Sequence, residues 1–284
     1  MGAKLEFIGA NGNIINLFDN PYYGITNIDG FTVADVEVAS STTASIDGDV
    51  INNLRVTPRT VVLDLKVKNN VNVETAKRWL LQTVKPKLPG RIRMTQDGRE
   101  TELSGIVENI EMPRFTNGVI CQVSLHCSVP YWQDVNYVLV EISRLIDLHY
   151  FPKDQGGLAF PSGGIPLGSY NLNNTQTYYN DGDAETGMLI TIIALGDVVN
   201  PIIYNVTGAY IGVIDTMAEG DVIEINTNRG EKYVRKNGEN IFSKIKSGSS
   251  FLQLAIGDNQ LTVNADSGTQ NNMYFMITFK RRFV

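Results

Sequence analysis

The sequence predicts a mainly β protein of two domains: an N-terminal β domain with one packed α-helix, and a C-terminal β-sandwich of the jelly-roll type. Apolar and polar residues alternate along the first half, and short β-rich runs separated by Gly, Asn and Asp fill the second. The 284 residues suffice for two domains at about 100–200 residues each. The Gly- and Pro-rich stretch 151–166 lacks periodicity and indicates an irregular lead-in, so we expect domains at 1–137 and 138–284.

The first half contains strands around a single helix. Residues 31–38 and 61–67 are candidate strands, and the second alternates apolar and charged residues, as expected of a strand with one buried face. Asn72 is a plausible N-cap for a helix over 74–85 that Pro86 ends. A hairpin follows, with strands at 92–94 and 103–110 and a turn at 96–99.

The two cysteines lie on one predicted strand, 119–129. Cys121 and Cys127 are six residues apart, roughly 20 Å along a strand at about 3.3 Å per residue, which is too far for a disulfide. We expect both to be small buried apolar groups; a catalytic or ligand thiol is the alternative.

Residues 40–59 form a polar segment that carries scattered apolar residues. The segment is long for a loop, and its apolar residues have no obvious local core. It is either a mobile surface loop or an extended hairpin that becomes ordered against a neighbouring subunit. On the second interpretation, Ile46, Val50 and Ile51 lie in the subunit interface.

The second half is predicted to be all β. Turn residues punctuate it at 180–183, 220–221, 228–230, 236–238 and 257–259. About eight short strands at this spacing indicate a sandwich, and they are placed at 188–195, 202–206, 210–214, 222–226, 232–234, 251–255, 261–265 and 273–279.

Charge and motifs argue against several classes of function. Lys plus Arg number 24 against 30 Asp plus Glu, a net charge of −6, and no basic stripe could grip nucleic acid. No run approaches the roughly 20 apolar residues of a membrane span, so we expect no membrane partner and a cytosolic or non-secretory route. Nucleotide-binding, α/β-hydrolase and zinc-protease motifs are missing. His126 and His149 have no partners at ligand spacing, so the sequence predicts neither a metal site nor a cofactor.

One acidic cluster, formed by Asp181, Asp183 and Glu185, could hold a cation or serve a glycoside hydrolase. Its Gly-containing turn favours a solvated loop instead. The basic residues 280–282 follow a strand directly and suggest an edge charge or an intersubunit contact. The residue inventory therefore argues against an enzyme.

The order of elements resembles the distal tail proteins of long, flexible-tailed bacteriophages (siphoviruses), or their prophage or tail-like bacteriocin equivalents. The resemblance rests on the small β domain with one helix, the C-terminal sandwich, and the motifs PYW at 130–132, GDVIEINT at 220–227, GEK at 230–232, NG at 237–238 and SFLQLAIGDN at 250–259.

The resemblance implies a structural virion protein whose N-terminal domains form a hexameric ring at the tail tip, with galectin-like C-terminal domains projecting outward. Implied partners are the tail tube, the tail-tip or tail-associated lysin protein that perforates the host wall, and in some cases the tape measure and receptor-binding proteins. DNA would only pass through the ring. The location would be the virion, assembled in the host cytoplasm.

Three further points stay open on the sequence. Within the junction motif Pro130, Tyr131 and Trp132, the indole either pins the two domains together or belongs to the core of one. A carbohydrate- or receptor-binding module is an alternative function, with sugar platforms at Tyr170, Tyr178 and Tyr179. A wall hydrolase acting through Asp181 and Glu185, or a tail tube protein, is another.

Overall fold

The structure is a computed structural model that describes residues 3–43, 47–113, 119–141, 143–147, 168–172, 175–267 and 272–284. It divides into two compact units, Met1–Asn136 with Arg282–Val284, and Tyr137–Arg281. The last three residues thus group with the first unit, whereas the sequence analysis assigned all of 138–284 to the second domain. Each unit has its own hydrophobic core.

In the residues that the structure describes, the first unit contains one helix and a series of antiparallel strands. They are β1 Lys4–Gly9, β2 Ile14–Asn16, β3 Tyr23–Asp29, β4 Val36–Thr42, β5 Asp49–Val56, β6 Arg59–Val67, α1 Val73–Thr83, β7 Pro89–Gln96, β8 Arg99–Glu111, β9 Ile120–Cys127, β10 Trp132–Asp134 and, from the end of the chain, β25 Arg282–Phe283.

A nine-stranded sheet organises this unit. Its order is β2-β1-β7-β8-β9-β6-β3, with β10 paired to the start of β8 and β25 paired to β10. Helix α1 begins at its cap Asn72, whose side chain accepts hydrogen bonds from the backbone N–H groups of Glu74 and Thr75. The helix buries Ala76, Leu80 and Thr83, so the predicted amphipathic helix on a sheet is what the structure contains.

The hairpin β7–β8 turns at Asp97-Gly98, where both residues have positive φ, as the two-residue turn of a twisted hairpin requires. The predicted strand 31–38 begins only at Val36. Before this strand, the carbonyls of Gly30 and Thr32 accept hydrogen bonds from the Arg59 side chain at the start of β6.

The part of the second unit that the structure describes consists of strands, their connections and a 3-10 turn at Phe242–Lys244. Its strands are β11 Val138–Glu141, β12 Ser143–Asp147, β13 Gly168–Leu172, β14 Thr175–Asn180, β15 Met188–Ala194, β16 Val198–Val199, β17 Ile202–Asn205, β18 Tyr210–Gly212, β19 Thr216–Met217, β20 Val222–Asn226, β21 Tyr233–Lys236, β22 Glu239–Asn240, β23 Gly257–Asn264 and β24 Met273–Phe279.

Two sheets of the second unit share one core and form the predicted β-sandwich. The six-stranded sheet has the order β11-β24-β15-β20-β21-β22, and the four-stranded sheet has the order β14-β23-β17-β18. Every second residue of β24, from Met273 to Phe279, is buried in the shared core. The predicted strand at 251–255 is not a strand: Leu252 and Leu254 are buried, but only a single bridge joins Leu254, to Thr186.

Candidate assembly interface

The segment between β3 and β6 is an extended hairpin that belongs to no other sheet. Strands β4 and β5 pair antiparallel with each other alone, from Val36–Val56 to Thr42–Asp49. No residue of either strand is buried. A lone two-stranded hairpin is marginally stable in water, and most of the side chains of this one lie in solvent. The observed form is therefore the hairpin alternative of the sequence analysis, and its ordering against a neighbour stays a prediction.

One face of the hairpin is apolar. Val36 pairs with Val56, and Val38 pairs with Leu54, so these four side chains share a face. The register shifts beyond Ala39, where Asn52 is an extra residue without a partner. Without that bulge, a residue three positions before Leu54 would lie on the opposite face. With the bulge, Ile51 pairs with Ser40 and extends the apolar face.

We call Val36, Val38, Ile51 and Leu54 the hairpin patch; their exposed fractions are 54%, 52%, 61% and 60%. Exposed aliphatic side chains that share one strand face are typical of interaction surfaces. Of these four residues, Ile51 is the one that the sequence predicts in the subunit interface; Leu54 is one of the scattered apolar residues of segment 40–59, and Val36 and Val38 belong to the predicted strand 31–38. The sequence signal for this face is the spacing of Val36 and Val38, which are two residues apart and so lie on the same side of a strand. Leu54 joins them because it pairs with Val38.

The opposite face of the hairpin is polar. Arg55 and Glu37 form an ion pair at 2.7 Å, and Asn53 lies beside them opposite Ala39. Val50 pairs with Ser41 on this side, and it is 44% exposed. Of the three predicted interface residues, Ile51 therefore lies in the patch and Val50 lies on the other face. Ile46 lies outside the described residues.

The root of the hairpin is fixed to the first unit. The backbone N–H and the hydroxyl of Thr57 donate to the carbonyl of Asp35 at 2.9 and 3.1 Å. Arg59 is buried, and its Nη1 donates to the carbonyl of Thr32 at 2.9 Å. Burial lowers the pKa of this guanidinium. The sequence analysis did not single out Arg59, because a charged first residue of a strand gives no sign of burial. The hairpin is therefore hydrogen-bonded to the first unit at its base, whereas strands β4 and β5 themselves are exposed to solvent.

The predicted junction residues lie in the first unit. Pro130 and Trp132 are buried, and Tyr131 is half-buried. The indole of Trp132 packs edge-to-face on Phe31, with ring centroids 5.2 Å apart, and Trp132 pairs with Phe283 across β10 and β25. The structure places the indole within the core of the first unit, and a pinning role between domains stays a prediction.

Two of the three residues in the acidic cluster, Asp181 and Glu185, pair with arginines. Both carboxylate oxygens of Asp181 accept hydrogen bonds from Arg281, at 2.9 and 3.0 Å, and Glu185 pairs with Arg229. Within the described ranges, no group of three or more His, Cys, Asp or Glu is placed to hold a metal ion. Among the basic tail residues, Arg281 thus pairs within the chain and Arg282 is buried.

The other predicted site residues fall into buried and exposed sets. Cys121 and Cys127 are both free and buried, as predicted, and burial raises the pKa of the Cys127 thiol to about 11. Tyr178 is only 3% exposed, so it cannot be a sugar platform, and burial raises the pKa of its hydroxyl. Tyr179 is 67% exposed. The side chain of Tyr170, like His149, lies outside the described part of the chain.

Comparison with known proteins shows which proteins the chain is similar to. Residues 181–283 match the family described as siphovirus-type tail component, C-terminal domain. The whole chain has the fold of a distal tail protein: it matches the crystal structure of phage SPP1 Dit with a TM-score of 0.69 and 14% identity, covering 100% of both chains. The predicted resemblance is confirmed.

Two structures of the phage P2 baseplate in its activated conformation also match. The one with Ca gives a TM-score of 0.51 at 12% identity, and the one with Sr gives 0.50 at 11%, each over 100% of both chains. No curated protein sequence matches the chain. In the ranges that the structure describes, no helix has the length and apolar character of a membrane span.

Proposed function

We propose that this protein is a structural component of the phage tail tip. It would form a ring of six identical subunits through its first unit, and the ring would connect the tail tube to the tail-tip protein that perforates the host wall and to receptor-binding components. The similar SPP1 Dit protein is described as a paradigm of the hub adsorption apparatus in phages that infect Gram-positive bacteria. That similarity and the uncovered hairpin patch support the proposal.

The hairpin patch is the single observation that carries the ring. Closure of a ring from identical subunits needs a contact in which one surface of each subunit meets a different surface of its neighbour. A hairpin with a fixed root and one apolar face is suited to supply the first of these surfaces. Covering four side chains that are more than half exposed would release water from them and favour the contact.

The proposal also concerns the net charge of the chain and its location in the virion. An acidic chain with a net charge of −6 would repel DNA and let it slide through a ring channel. The work of such a protein lies in its interfaces, without making or breaking bonds. Its place would be the virion, after assembly in the host cytoplasm.

Solution mass and imaging test the ring. Analytical ultracentrifugation of the full chain over a wide concentration range, with negative-stain imaging of the same samples, should give a species of six subunits and ring-shaped particles. The tail tube and tail-tip proteins of the same phage are added in a second series, because a ring can require its neighbours. A chain that stays monomeric in both series would contradict the proposal.

A further inference from the structure

The four-stranded sheet of the second unit, β14-β23-β17-β18, has one face that turns away from the sandwich core. On β23 the side chains of Leu261 and Val263 point into the sandwich core, as Tyr178 does on β14. Strand alternation places their neighbours on the opposite side. We call this side the tyrosine face; it carries Tyr179, Tyr204, Tyr210, Thr177, Gln260 and Thr262.

Aromatic rings lie at two corners of the tyrosine face. Tyr204 and Tyr210 are paired across β17 and β18, with ring centroids 5.8 Å apart and planes at 52°. The hydroxyl of Tyr210 donates to the carbonyl of Ser247 at 2.8 Å, which fixes this ring. Tyr179 lies at the far end of β14, and strand spacings put it about 16 Å from Tyr204. The two corners are thus separated by more than the width of one sugar ring.

Uncharged polar side chains lie between these corners. Thr177 and Gln260 are opposite each other on β14 and β23, and both are exposed. Nearer to Tyr204, the hydroxyls of Thr175 and Thr262 lie 2.9 Å apart and hydrogen-bond to each other. Hydroxyl and amide groups both donate and accept, so they can satisfy the hydroxyl groups of a ligand in either sense.

The charge of the face selects among ligands. Within the described residues, strands β14, β23, β17 and β18 place no Lys or Arg on the tyrosine face. The charged side chain that they place on this face is Asp258. A phosphate-rich or otherwise anionic ligand would find no cation on the described strands of this face. A neutral ligand with hydroxyl groups on its edge and apolar C–H faces matches aromatic rings combined with uncharged hydrogen-bonding groups.

We propose that the tyrosine face binds a neutral oligosaccharide, with one sugar ring stacked on Tyr179, another against Tyr204 and Tyr210, and the intervening hydroxyl groups hydrogen-bonded to Thr177 and Gln260. The binding would give a tail component direct contact with carbohydrate. It goes beyond ring assembly, because the hairpin patch belongs to the first unit, and it can hold or fail independently of the ring.

A glycan array tests the proposal on the full chain. The probes are neutral hexose and N-acetylhexosamine oligosaccharides of two to six units, beside sialylated and sulfated ones. Binding should be confined to neutral probes of three or more units. Tyr179→Ala should weaken it about tenfold, and Gln260→Ala should weaken it severalfold. The matched control is Tyr137→Ala, because Tyr137 lies in the same unit and is 66% exposed, and this variant should bind as the parent does.

Four outcomes would overturn the proposal: binding unchanged in Tyr179→Ala, equal loss in Tyr137→Ala, preference for anionic probes, or no binding to any neutral probe. If Tyr179→Ala changed the mass of the assembly while no glycan bound, the face would instead be a protein contact. Circular dichroism of each variant should show a folded sandwich, since all three substituted side chains are exposed.

Discussion

Replacement of Ile51 by Asp should break the subunit contact without unfolding the chain. Full burial of an Ile side chain is worth about 1.5–3 kcal/mol, and 61% of Ile51 is still exposed, so covering it contributes about 1–2 kcal/mol. The Ile51→Asp variant loses this contribution to the free energy of association. It must also remove water from a carboxylate when the contact forms, which costs about 1–2 kcal/mol or more. A total of about 3 kcal/mol or more weakens one contact at least about 100-fold.

Sedimentation velocity at matched concentrations measures the effect: Ile51→Asp should sediment as a monomer where the parent forms the ring. Asn53→Asp is the control, because it adds the same charge two residues away on the polar face and keeps an oxygen that can accept the Leu54 N–H. It should assemble as the parent does. Thermal unfolding should be nearly equal in all three, since Ile51 contributes to neither core. A ring of Ile51→Asp with parental stability would refute the reasoning.

Three other predictions concern the folded units. Gly30→Ala should cost about 2–4 kcal/mol, because φ is +79° and a Cβ would lie 2.3 Å from the carbonyl oxygen of Thr60, whereas Gly48→Ala, at φ +92° in open space, should cost about 1 kcal/mol. The fluorescence of the two tryptophans, which both lie in the first unit, measures the unfolding of each variant. Equal losses of stability in the two variants would contradict a close contact between position 30 and the Thr60 carbonyl. The two cysteine thiols should not react with a disulfide reagent until urea unfolds the chain, since both are buried; fast reaction without urea would contradict this burial. The pKa of Asp221 is lowered to about 2 by hydrogen bonds from Asn237 and Lys236. Its contribution to stability is therefore complete above pH about 4 and lost as the pH falls towards 2. Asp221→Asn should flatten the acid-unfolding profile of the second unit in that window, measured by far-ultraviolet circular dichroism, and an unchanged profile would contradict it.

Local patterns identified most elements of the fold. The cap at Asn72, the turn at Asp97-Gly98 and the alternation along β24 each depend on neighbours in the sequence, and the structure contains all three. The segment 251–255 has the composition of a strand but pairs through one bridge only. Composition predicts that apolar side chains will be buried, whereas a ladder also needs a neighbouring strand in register.

The candidate sites were less accessible to sequence reasoning. Tyr178 and Tyr179 are neighbours with the same side chain, yet one is buried and the other exposed, because the register of β14 on β23 decides which face each takes. Likewise, only the bulge at Asn52 places Ile51 on the face of Leu54.

The sequence by itself determined that this protein is mainly β and that one helix packs on its first sheet. These properties arise from periodicity and turn chemistry, which act over a few residues. Tertiary structure alone decided which apolar side chains stay in solvent, that Arg59 is buried at the root of the hairpin, and that three tyrosines share one sheet face. Those outcomes depend on pairings between distant segments, where a shift of one residue exchanges the two faces of a strand.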